Sequence, residues 1–352
     1  MFKNPKKILA YILSLFVLAV FIASCGSGGG SGSTETENTF KGKNVRVVIG
    51  STSPSGDSYL IADAVSRHLG NALGANLKVD AVGAAEALAA MQTSKPDGNT
   101  IMIFHDMTYL GVSFGSFENQ YALENMTVGP RVAQNPGAAW AAGVNAPYNT
   151  MRELAEYLNA NPDAISRVSC EAGGVSHIGF IVYYDWVRKT YGDDVAKRIV
   201  VILGGSTAEK SQMLWDNNCD VIFADYTSLK DYTETDDQRI AMKFLGLLDN
   251  IDGIDVPSYS DLGITLDGRE FRFSKDFLIY LPKDFPEELI AELDNAVEKI
   301  SDEEGLNNDL KRMDYRTGYL SSEDSKEFIY GKRDSLQVLI DNSPSLDDLV
   351  GF

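Results

Sequence analysis

Strand-like apolar runs and helical stripes alternate along the chain from residue 43 onward. Residues 45–49 predict a strand. Ile61, Val65, Leu69 and Leu73 then recur at the spacing that lines one face of a helix over 59–73. Strands follow at 77–82 and 100–104, with a helix at 84–92 and a Pro96-Asp97-Gly98 turn between them. The pattern then repeats. Strands are predicted at 138–144, 167–170, 199–203 and 220–224, with helices at 150–160, 176–191 and 208–217. Thr150 and Glu153 form a capping box at the first of these helices. Late strands at 244–248 and 277–281 and helices at 286–300, 303–313 and 323–341 complete it. Pro286 opens one of those helices. Short apolar strands with helical crossovers imply mostly parallel sheets covered on both faces. Two such sets predict two α/β lobes flanking a cleft. Residues 43–137 and 273–352 form the first lobe and 138–272 the second.

The N-terminus breaks this pattern. Lys3, Lys6 and Lys7 precede an uncharged apolar run at 8–23, too short for a comfortable membrane span. The run ends in Ile22-Ala23-Ser24-Cys25, which resembles the lipobox of bacterial lipoproteins. Residues 1–24 then read as a signal peptide and Cys25 as a lipidated anchor. The Gly/Ser run that follows cannot bury a core, so 25–42 reads as a flexible linker. The body is expected outside the cell membrane, touching it only through the lipid. Composition is that of a globular protein, 44% hydrophobic and 23% charged over 352 residues. The formal net charge of −19 argues against a nucleic-acid partner. Cys170 and Cys219 remain after lipidation. They suit either one disulfide or two buried thiols, and the second is favoured.

Candidate chemistry gathers at three strand-to-helix turns. The first holds Ser51, Thr52, Ser53, Ser55, Gly56, Asp57 and Ser58. The second runs from Glu171 through Gly173, Gly174 and Ser176 to His177. The third is Gly204, Gly205, Ser206 and Thr207. Each combines glycine with hydroxyl donors at a helix start, where backbone N–H groups can hold an anion. Gly56-Asp57-Ser58 also suggests a serine hydrolase. That chemistry needs a histidine base, and the histidines are His68, His105 and His177, none with an acid three residues before it. An esterase on Ser58 is kept only as the reading of another class. The stretch from Gly204 to Ser211 falls short of a phosphate loop, because Glu209 stands where glycine should precede the lysine. His105 and Asp106 end one strand at its carboxyl edge, and Asp225 ends another. Tyr183, Tyr184 and Trp186 read as packing residues.

The order of these signals resembles the substrate-binding proteins of tripartite tricarboxylate transporters, the TctC or Bug family. Pro54-Ser55-Gly56-Asp57-Ser58-Tyr59 stands where the family has Pro-Gly-Gly-Gly-Thr-Asp. Pro96-Asp97-Gly98-Asn99-Thr100 matches its Pro-Asp-Gly-Tyr-Thr. Gly173-Gly174-Val175-Ser176-His177, Leu203-Gly204-Gly205, Cys219-Asp220-Val221 and Val256-Pro257-Ser258 with Asp261-Leu262-Gly263 follow in the family's order. Ser55 and Asp57 replace two glycines, Tyr59 an aspartate and Asp63 an arginine, so the first loop is chemically altered. The resemblance implies a two-lobed α/β fold of the periplasmic-binding-protein type II class, with a ligand cleft between the lobes. It implies no enzymatic activity, no cofactor and no metal. It also implies a monomer that captures a small organic anion, a carboxylate, for a membrane permease. The ligand site is expected at Ser53, Ser55, Gly56, Asp57, Ser58 and Tyr59, at His105 and Asp106, at Gly173, Gly174, Ser176 and His177, at Gly204, Gly205, Ser206 and Thr207, and at Asp225. A neutral or zwitterionic solute such as an amino acid is the alternative on the same fold.

Overall fold

The structure, a computed structural model, describes residues 39–54 and 56–343. Cys25, the leader before it, most of the expected linker and Ser55 lie outside the described residues. The first half of the body runs β1 (Asn44–Ile49), α1 (Asp57–Leu73), β2 (Asn76–Ala81), α2 (Ala84–Thr93), β3 (Thr100–Phe104), α3 (Met107–Ser113), β4 (Thr127–Asn135), β5 (Ala138–Gly143), α4 (Met151–Ala160), β6 (Ser166–Cys170) and α5 (Val175–Tyr191). The second half runs α6 (Asp193–Ala196), β7 (Ile199–Leu203), α7 (Thr207–Trp215), β8 (Val221–Asp225), α8 (Tyr226–Thr233), β9 (Met242–Leu247), β10 (Thr265–Leu266), β11 (Arg269–Glu270), β12 (Lys275–Leu281), α9 (Glu287–Ser301), α10 (Glu304–Lys311) and α11 (Ser322–Asp341).

The strands form two five-stranded sheets of the same design, ordered β2-β1-β3-β12-β4 and β7-β6-β8-β5-β9. In each, three strands are parallel and the two after them pair antiparallel. This is a two-lobed α/β fold of the type II periplasmic-binding-protein class. The chain passes from the first sheet to the second between Asn135 and Ala138, and is back in the first at Lys275. Among the described residues, no helix is long and apolar enough to cross a membrane.

The periodic elements form because their apolar stripes find a sheet to cover. Ile61, Val65 and Leu69 of α1 are fully buried against Val47, Ile49 and Ile101 in one cluster, which α9 and α10 complete. Thr150 caps α4 by accepting from the Glu153 N–H at 3.0 Å, and Glu153 Oε2 accepts from the Asn149 N–H at 2.7 Å. Cys170 and Cys219 are buried and unbonded to each other, and burial pushes both thiols up to about 12. Tyr183, Tyr184 and Trp186 are buried in the core.

The strand β4 is not among the predicted elements, and it carries Gly129 and Pro130, which are unfavourable in a strand interior. It is an edge strand, where a missing N–H is tolerated. Its register against β12 slips between Leu278 and Tyr280, opposite that dipeptide, and a Cβ on Gly129 would meet the Ile279 carbonyl oxygen at 2.9 Å. The short helices α3 and α8 were likewise not anticipated.

A buried polar network fixes α11 to the first sheet. Lys332 Nζ lies 2.6 Å from both Asp106 Oδ1 and Asp276 Oδ2. Arg131 reaches Asp276 Oδ1 at 2.9 Å, and the Asp276 N–H donates to Asp106 Oδ2 at 2.8 Å. Both carboxylates are almost fully buried. Removing one partner of a buried ion pair leaves an uncompensated charge, so Lys332→Met should cost about 3–5 kcal/mol in urea unfolding. A loss below about 1 kcal/mol, the value of an exposed pair, would show that water reaches these carboxylates.

Candidate functional site

The carboxyl ends of β1 and β3 in one lobe and of β6, β7 and β8 in the other converge, with the start of β12, on a cavity of about 960 Å³. Ligands of open α/β sheets sit at such strand ends. From the first turn, Ser53, Gly56, Asp57 and Ser58 line it. His105 faces it from the end of β3, Asp225 from the end of β8, and Gly205, Ser206 and Thr207 from the start of α7.

Other expected residues lie elsewhere. Tyr59 packs against the core of the first lobe. Asp106 is fully buried in the Lys332 network and accepts from the Tyr109 hydroxyl at 2.7 Å. Gly173, Gly174, Ser176 and His177 do not line the cavity, although Glu171 and Val175 of the same turn do. The Ser176 hydroxyl accepts from the Glu171 N–H at 2.9 Å, and His177 Nδ1 accepts from the Gly173 N–H at 3.2 Å. The His177 ring stacks on Phe114 at 3.9 Å. Gly204 is outside the lining but makes room for it. A Cβ there would meet Lys210 Cγ at 2.6 Å, so glycine lets the lysine stem lie along the turn.

Two lining lysines were not among the expected site residues. Lys275, the first residue of β12, donates through Nζ to Asp57 Oδ2 and Asp225 Oδ1, one carboxylate from each lobe. Asn135 Nδ2 donates to the same two oxygens at 3.2 and 3.1 Å, and its Oδ1 accepts from the Gly137 N–H at 2.9 Å. Asp57 Oδ1 accepts from the Ser58 N–H at 2.8 Å. Asp57 is thus fully engaged, whereas Asp225 Oδ2 accepts no hydrogen bond among the described residues. Nothing local in "FSKDFLIY" marks the lysine, since its partners are remote in sequence.

Lys210 is the second. It is only 3% exposed, yet its ammonium makes no hydrogen bond or ion pair among the described residues. It lines the cavity, 5.9 Å from the Phe223 ring. A lysine this near a helix start opposes the helix dipole, which was the available signal. Two N–H groups at the α7 start are met from within. Ser206 Oγ accepts from the Glu209 N–H at 3.1 Å, and Glu209 Oε2 accepts from the Gly205 N–H at 2.8 Å.

The electrostatics follow from this wiring. Burial opposes ionisation of Asp57, but the Lys275 ammonium and the Ser58 N–H outweigh it and hold the carboxyl at about 2. Burial and the Asp57 charge push Asp225 up to about 6, with Lys275 pulling back. Burial and the Lys275 ammonium press His105 down to about 3, so its imidazole is neutral.

No family model and no curated protein matches the sequence. Solved structures do match the fold. A TctC solute binding protein from Polaromonas is 19% identical, with 85% of this chain and 98% of that one covered at a TM-score of 0.60. MatC from Rhodopseudomonas palustris with bound malate is 16% identical, with 84% and 99% covered at 0.67. A second R. palustris protein, with adipate, is 14% identical, with 84% and 96% covered at 0.67. This chain has the fold of TctC and Bug proteins, as the resemblance in its sequence implied.

The opposed shifts of Asp57 and Asp225 give stability a two-sided pH dependence. Asp57, held at about 2, contributes stability above the unfolded value of about 3.9 that is lost as pH falls through about 2. Asp225 does the reverse. The folded state holds its proton up to about 6, so stability present below about 3.9 is lost as pH rises through about 6. Asn cannot titrate, so Asp225→Asn escapes that loss. Urea unfolding of both proteins at pH 4 and 7.5 should show the variant gaining on the wild type by on the order of 1–3 kcal/mol. A pH-independent difference would mean that Asp225 titrates normally.

Proposed function

We propose that this chain is an extracytoplasmic solute-binding protein that closes on a small carboxylate and passes it to a membrane permease of the tripartite tricarboxylate type. Binding involves no bond-making step. The body acts as a monomer, with lobes at 43–137 plus 273–352 and at 138–272. Its leader ends at residue 24, and Cys25 carries the lipid that tethers it through the linker at 25–42.

One observation carries the reading. Lys210 brings an ammonium that makes no hydrogen bond or ion pair among the described residues to a cavity large enough for a small molecule. Such an ammonium is free to form a charge-assisted hydrogen bond with an incoming carboxylate. The malate of MatC and the adipate of the second R. palustris protein are ligands of this chemical class on the same fold. Ser58, Ser206 and Thr207 line the same cavity as hydroxyl donors.

The test is titration calorimetry with mono-, di- and tricarboxylates on the wild type and on Lys210→Met. A hydrogen bond to a charged group contributes about 1.5–3 kcal/mol, so the variant should bind its best carboxylate roughly ten- to a hundredfold more weakly. The variant should melt no lower without ligand, since an unpaired charge has gone. Equal affinity in the two proteins would remove Lys210 from the site and the proposal with it.

The anchor has its own check. Two acyl chains give stable membrane attachment where one does not. Intact mass of membrane-extracted protein should therefore show a chain beginning at Cys25 with added lipid. An unmodified Cys25 refutes the anchor and leaves the binding proposal untouched.

A further inference from the structure

We infer that the ligand carries a single carboxylate and, at its other end, a protonated amino group that docks on Asp225, so that the cleft prefers an amino acid to a dicarboxylate of the same length. This rests on the proposal that Lys210 receives a carboxylate.

The charges facing the cavity carry the inference. Asp57, Glu171 and Asp225 line it against Lys210 and Lys275. Lys275 is consumed by Asp57 and Asp225. His105 is neutral. Among the described residues, Lys210 is therefore the lining cation left without a partner, and one carboxylate saturates it. A second carboxylate would lie among Glu171, Asp225 and Asp57 with no cation to meet it, and like charges at close range in a closed site repel strongly. An ammonium suits the same place. Asp57 has both oxygens engaged, but Asp225 lines the cavity and its Oδ2 accepts no hydrogen bond among the described residues, so it can accept a charge-assisted one. Lys210 and Asp225 are close enough to feel each other's charge, so one small molecule can meet both. A ligand bearing only cations would leave Lys210 unmatched.

The experiment compares ligand pairs that differ by one exchange, an aminomethyl group for a carboxylate. The pairs run from glycine and oxalate through γ-aminobutyrate and succinate to 6-aminohexanoate and adipate, titrated at pH 7.5. In at least one pair the amino acid should bind tenfold or more tightly than the dicarboxylate. Asp225→Asn should weaken that amino acid at least tenfold and narrow the ratio, while Lys210→Met weakens both members. The unliganded melting curve of Asp225→Asn shows whether it folds; if it does not, the wild-type ratios decide alone. Dicarboxylates that bind through Lys210 and win in every pair overturn this inference and leave the carboxylate proposal standing. An amino-acid preference that survives Asp225→Asn unchanged also overturns it. Silence across all pairs overturns it too, and tricarboxylates or longer monocarboxylates then test the parent proposal separately.

Discussion

Lys275 lies between Asp57 and Asp225, and the arrangement of both lobes depends on that contact. Asp57 opens α1 in the first lobe, Asp225 closes β8 in the second, and Lys275 begins the strand that returns to the first. Asn135, at the other crossing, donates to the same two carboxylates. Both places where the chain changes lobe are therefore tied to one polar centre. Desolvating three charges costs several kcal/mol per ion, and their attraction offsets this only if the geometry is kept. Such a cluster is a weak source of stability but a strict one of position. Hinge closure around a ligand is expected to turn about it, because an opening that separated Asp225 from Lys275 would strand a buried charge.

Acidic side chains also take up part of what the helix starts offer. A helix N-terminus ordinarily offers N–H groups and a positive dipole end to an anion. Here the chain supplies its own anions. Asp57 accepts from the Ser58 N–H on α1, and Glu209 from the Gly205 N–H before α7. At α5 the donors of the preceding turn go to Ser176 and His177. Lys210, given room by the glycine at 204, adds a cation beside these starts.

This explains how far the sequence could be read. Apolar spacing located most strands and helices, because burial of a stripe such as Ile61, Val65 and Leu69 is a local signal with a single structural solution. It missed β4, where a glycine and a proline serve an edge bulge rather than a turn. In the site, the first and third turns and Asp225 were legible, since strand ends in such a fold point at the cleft. The second turn has the same composition, yet two of its donors are met by Ser176 and His177, and its expected residues lie outside the cavity lining. Gly and Ser at a helix start do not distinguish an anion site from a cap. Lys275 and Lys210 were illegible for the opposite reason. Their roles come from which carboxylates the tertiary fold brings near, or withholds.

The cleft also has to be set against the whole molecule. The body belongs to a chain of formal net charge −19, so its surface field disfavours the approach of any anion. At physiological ionic strength that field is largely screened beyond about 8 Å. Overall charge therefore acts on encounter rates, and more on a doubly charged solute than on a zwitterion. Inside the cleft, charges that are partly buried are screened less. There, one unmatched ammonium and one half-used carboxylate face the same space. A binding protein with two free cations would reward a second negative charge. Here the second lining cation, Lys275, is held between Asp57 of one lobe and Asp225 of the other, which leaves Lys210 as the cation that faces the cavity without an ion pair.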